Sequence, residues 1–92
     1  MTDEGPWHVL IFEHTQRGRL LSQQIHVGDD RTAAREKAMS LALGYEPTRP
    51  VWIKSRDVFM ASVDSWVIQV HGATVSSDFE VQVARLIAQR DR

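Results

Sequence analysis

The sequence predicts an α+β fold: an antiparallel sheet of four to five strands with one helix packed on a face. In chain order the elements are a β-hairpin, a helix, a short strand with a β-meander, and a short C-terminal helix or tail. Three observations predict it. Apolar and polar residues alternate through Phe59–Val83, and again through two segments between Trp7 and Val27. Between these regions lies one alanine-rich stretch, Arg31–Leu43, directly behind an aspartate. Period-two alternation belongs to a strand with one buried face, whereas a run of good helix formers behind a capping residue belongs to a helix.

The first hairpin joins WHVLIFEHT (7–15) to LLSQQIHV (20–27) across Gln16-Arg17-Gly18. A three-residue loop ending in glycine suits a turn that closes with positive φ. It pairs Trp7 with Val27, Val9 with Ile25, Ile11 with Gln23 and Glu13 with Leu21. One face then carries Trp7, Val9, Ile11, Leu21, Ile25 and Val27. The other is mixed, with His8, Leu10, Phe12, His14, Leu20 and His26.

Gly28-Asp29-Asp30 breaks the strand, and Asp30 can cap the next helix. Ala34, Ala38, Leu41, Ala42 and Tyr45 form its apolar stripe, and the alanines allow close approach to a sheet. Arg35 and Lys37 lie off the stripe and are expected in solvent, and Gly44 is a natural stop. Gly44–Pro50 is a loop, VWIK (51–54) a brief edge strand, and Ser55-Arg56-Asp57 a break before the meander.

In the meander, turns at Asp64-Ser65 and Gly72-Ala73 give three runs a shared apolar face. That face comprises Phe59, Ala61, Val63, Trp66, Ile68, Val70, Val75, Phe79 and Val81. Gly72 would take a positive φ in a two-residue hairpin turn. Ser77-Asp78-Phe79-Glu80 also matches a capping box, but two β-branched valines come next, so a strand through Val83 is preferred over a helix.

Ninety-two residues make a single domain, 1–92, with residues 1–6 expected to be disordered. A formal net charge of −1 offers no global field for nucleic acid, and the lack of cysteine excludes disulfides and thiolate chemistry. The acidic start is unlike a secretory signal, and no apolar run is long enough for a membrane span, so a cytoplasmic location with no membrane partner is expected.

Phosphate-loop, nucleophile-elbow and zinc-protease motifs are absent. Four histidines remain: His8, His14, His26 and His71. His8 and His26 face each other across the hairpin, but two imidazoles alone fall short of the three or four ligands of a zinc site. His71 beside Asp78 or Glu80 could move a proton, yet no nucleophile is placed by spacing. The expectation is no enzyme, no metal and no cofactor, with a histidine-based metal site or enzyme as a distant alternative.

Arg49, Trp52, Lys54 and Arg56 interleave cations with an aromatic, a pattern that suits nucleic acid but equally suits a charged edge strand. The leading expectation comes from leftover apolar residues. Leu10, Phe12, Leu20, Val58, Met60 and Val67 are assigned to the sheet face away from the helix. An exposed apolar patch marks a partner surface. The expected function is therefore a small protein-interaction or accessory domain, a homodimer or the binder of a heterologous protein.

Overall fold

The structure, a computed structural model, describes residues 5–48 and 52–91. It contains β1 (Trp7–Thr15), β2 (Gly18–Gly28), α1 (Arg31–Gly44), β3 (Ile53–Ser62), β4 (Ser65–Gly72) and β5 (Ser76–Arg85). The strands form one antiparallel sheet in the order β2-β1-β5-β4-β3. The first and last strands meet at its centre, and β2 and β3 are its edges. The chain passes from one edge to the other through α1. Fourteen residues of helix span about 21 Å, close to the width of five strands at about 4.8 Å each. α1 touches every strand and lies on one face only.

Asp30 caps α1 by accepting a hydrogen bond from the Thr32 amide at 2.9 Å. Ala34, Ala38 and Ala42 are fully buried, one above the next at four-residue spacing, and bring the helix backbone close to the sheet. Beneath them lie Trp7, Val9 and Ile11 of β1, Phe79, Val81 and Val83 of β5, and Trp66, Ile68 and Val70 of β4. Tyr45, just past the helix, sets its ring edge-on to Phe79 with centroids 5.1 Å apart. Its hydroxyl donates to Glu13 Oε2 at 2.5 Å, while Glu13 Oε1 accepts from the Thr48 amide. Burial, then the hydrogen bond with Glu13, raises the Tyr45 pKa.

Both ends of α1 are also tied to β3 or its turn. Asp64 accepts from Arg31 and from Arg35 Nε (2.8 Å for the latter). Arg35 is therefore not the freely solvated cation expected. Burial acts to raise the Asp64 pKa, but the two guanidinium hydrogen bonds outweigh it and hold the carboxyl below its ordinary range. At the other end Arg56 Nη1 donates to the carbonyls of Ala42 (3.1 Å) and Tyr45 (2.9 Å), two acceptors left open where the helix stops.

Strand pairing departs from the simplest hairpins at both edges. In the first hairpin Val9↔Ile25 and Ile11↔Gln23 pair as expected, but Glu13 meets Leu20 and Trp7 meets Gly28, because Ser22 and Val27 are bulged. Gly18 does take a positive φ, +112°, but the turn is the two residues Gln16-Arg17 and Gly18 opens β2 opposite Thr15, not the three-residue loop expected. The turn between β3 and β4 is Val63-Asp64 rather than Asp64-Ser65. With a bulge at Ala61, this pairs Val58 with Ile68 and Met60 with Trp66. Phe59, Ala61 and Val63 consequently leave the helix-side face, and the turn presents Asp64 to the two arginines.

Between β4 and β5 the connection is longer than two residues. His71 pairs with Ser76, and the Gly72 amide donates to the Val75 carbonyl at 2.9 Å. Gly72 has no positive φ, and Val75 is exposed. The shift is two residues, so the parity of Trp66, Ile68, Val70, Phe79 and Val81 survives. β3 runs unbroken through Ser55-Arg56-Asp57, where the expected break is only a bulge at Lys54. β5 is a strand to Arg85, and 86–91 form neither helix nor strand. Of the segment expected to be disordered, residues 1–4 lie outside the described residues, and the Pro6 carbonyl accepts from the Leu86 amide.

Candidate functional site

The sheet face away from α1 is the candidate site. Direct partners across an antiparallel ladder share a face, so the strand pairings build it row by row. One row crosses all five strands as Leu21, Phe12, Glu80, Val67 and Phe59. The row nearer the β1–β2 turn carries Arg19 and His14, then Asp78, Gln69 and Asp57. On the other side lie Gln24, Leu10 and Gln82, and beyond them His26, His8 and Ala84. All four histidines of the chain stand on this face.

Of the six residues assigned to this face from sequence, Leu10, Phe12 and Val67 are on it. Leu20, Val58 and Met60 are not: they pair with Glu13, Ile68 and Trp66 and so lie on the helix side. The bulges at Ser22 and Ala61 are the physical reason, since one extra residue reverses the parity of the strand beyond it. Leu21 and Phe59 occupy the open face instead, 45% and 52% exposed. The tail does not bury these residues: Leu86 and Ile87 are themselves exposed.

A polar network lies against the apolar row. His14 places Nε2 2.8 Å from Glu80 and Nδ1 3.1 Å from Asp78. A neutral imidazole donates from one nitrogen only, so two carboxylate partners call for the imidazolium. The hydrogen bond to Glu80 is the main reason the His14 pKa is raised, with burial opposing and Asp78 assisting. Arg19 joins Glu80 through Nε at 3.1 Å and lays its guanidinium on the Phe12 ring, 3.8 Å from the centroid. Burial acts to raise the Glu80 pKa, but His14 and Arg19 together lower it.

His71 contacts Asp57 at 2.9 Å and Ser76 at 3.4 Å, so its carboxylate partner is Asp57 rather than the anticipated Asp78 or Glu80. His8 and His26 do face each other, with ring centroids 5.1 Å apart and planes at 81°. Among the described residues no group of three or more histidine and carboxylate side chains is arranged to hold a metal ion.

The basic segment is divided by the fold. Arg49 lies outside the described residues. Trp52 is 80% exposed, Lys54 is exposed in its bulge, and Arg56 is spent on the helix carbonyls. Arg56 is therefore withdrawn from the cationic set that its alternation with Trp52 and Lys54 suggested.

The Arg19–Glu80–His14–Asp78 chain escaped sequence reading because it joins β1 and β2 to β5, some 60 residues away. The available signal was parity: His14 shares the parity of Phe12, and Asp78 and Glu80 share one side of the last strand.

The fold and this face define a class, a two-layer α+β domain with one sheet face left uncovered by the described residues. The chain matches no protein-family model, no curated protein and no solved structure with which it was compared. No described helix is long and apolar enough to cross a membrane.

Proposed function

We propose that this is a small non-catalytic interaction domain that self-associates through the open sheet face. The observation that carries the reading is the five-strand row Leu21–Phe12–Glu80–Val67–Phe59, which is apolar on both flanks of one carboxylate.

Three features favour a second copy as the occupant. The first is area. Five strands of 8–11 residues give a face on the order of 700 Å², near the ~800 Å² per partner of a standard interface. The second is self-complementarity. A two-fold axis along β5 reverses each row onto itself. Leu21 then meets Phe59 of the partner subunit, Phe12 meets Val67 of the partner subunit, and cationic Arg19 meets Asp57 of the partner subunit. Such a pair of aligned sheets is ordinary sandwich geometry. The third is the state of the edges. Every bulge in the sheet lies in β2 or β3, which blunts pairing edge to edge and leaves the face as the route. A chain without cysteine suits a reducing compartment, and a cytoplasmic location belongs to the same proposal.

Sedimentation of the full chain at ~100 μM, above the micromolar range of ordinary weak complexes, tests the reading. The wild type sediments as a dimer and Phe59→Glu as a folded monomer. Met60→Glu, equally close to the edge but on the helix side and 67% exposed, leaves the dimer intact. A wild type that sediments as a monomer at that concentration at every pH from about 5.5 to 8.5 overturns the proposal.

A further inference from the structure

We infer that a single proton on His14 gates docking at the open face; this rests on the self-association reading. The central strand puts Glu80 in the middle of the apolar row, and a two-fold axis along β5 brings the Glu80 carboxylates of both copies together. Two carboxylates leaving water side by side repel and lose hydration, unless each is neutralised within its own copy.

The groups facing His14 supply that neutralisation. From β5 come Asp78 and Glu80, and from β2 comes Arg19. β4 contributes uncharged Gln69 next in the row, with His71 beyond it tied to Asp57 of β3. α1 lies on the opposite face and contributes nothing.

With His14 protonated, Arg19 and His14 balance Asp78 and Glu80. Without the proton, one carboxylate per copy is uncompensated, and a ring nitrogen lone pair confronts a carboxylate oxygen. Docking therefore favours the imidazolium. It is strong below the ordinary imidazole range and weakens as pH rises through the elevated His14 value. By linkage, docking in turn raises the affinity of His14 for its proton.

His8, His26 and His71 share the face, so variants of His14 isolate its part. The test is the dissociation constant of the full chain by sedimentation equilibrium from pH 5.5 to 8.5. For the wild type it rises with pH, by about a hundredfold for each pKa unit that docking adds to His14, about tenfold from each copy. His14→Gln associates weakly at every pH, and His14→Lys, which keeps the cation, loses the pH dependence. A second measurement needs no variant: the His14 ring-proton titration midpoint, tracked by NMR, moves to higher pH as the protein is concentrated. Association that is independent of pH, or a midpoint independent of concentration while dimers form, overturns the gate and leaves the self-association reading standing. No association at any pH overturns both.

Discussion

The two faces of this sheet are made by the same five strands through simple alternation, yet they differ in kind. Under α1 the central strands present Val9, Ile11, Ile68, Val70, Phe79 and Val81, all fully buried, with alanines above them. On the open side the same strands present His8, His14, His71, Gln69, Asp78, Glu80 and Gln82, with a band of Leu10, Phe12 and Val67 between. The first face is closed by shape alone. The second has its charges paired side by side within the sheet. An apolar band is thus not by itself a core: what separates the faces is that α1 covers one and no described element covers the other.

The sharpest way to test that contrast is a pair of phenylalanines. Phe79→Ala removes the largest fully buried side chain and costs about 3–5 kcal/mol of stability. Phe59→Ala, half-exposed on the open face, costs about 0.5 kcal/mol or less in solution too dilute for the proposed dimer. Equal losses in thermal or urea melts would mean that the open face is already covered within one chain.

A smaller effect tests the turns that set the parity of the faces. Gly18→Ala places a side chain at φ +112° and is destabilising by about 1 kcal/mol although its surroundings are open. Gly72→Ala, where no positive φ is needed, changes stability by about 0.5 kcal/mol or less. The reverse order would restore a two-residue turn at Gly72-Ala73 and shift the register of β5.

Local signals were legible in the sequence. Alternation in 66–70 and 79–83, the Asp30 cap and the alanine stripe are local, and all are present in the fold. The central register of the first hairpin was legible for the same reason. Bulges at Ser22 and Ala61 carry no residue signature of their own, and each reverses parity. That is why Leu20, Val58 and Met60 were placed on the open face and Leu21 and Phe59 were not. Asp64 was read as half of a tight turn, when its charge serves two arginines on the helix. The pairing of β1 with β5 joins the ends of the chain, and only that pairing brings His14 to Asp78 and Glu80.

In the proposed dimer two open faces meet about an axis along β5. Leu21 and Phe59 stand on opposite edges of one sheet, four strand spacings or about 19 Å apart, too far for a nuclear Overhauser effect within one chain. In an equimolar mixture of isotope-labelled and unlabelled protein at pH 6, an isotope-filtered spectrum is predicted to show contacts between Leu21 methyls and the Phe59 ring. A dimer without those contacts, or with contacts between β2 edges instead, would contradict it.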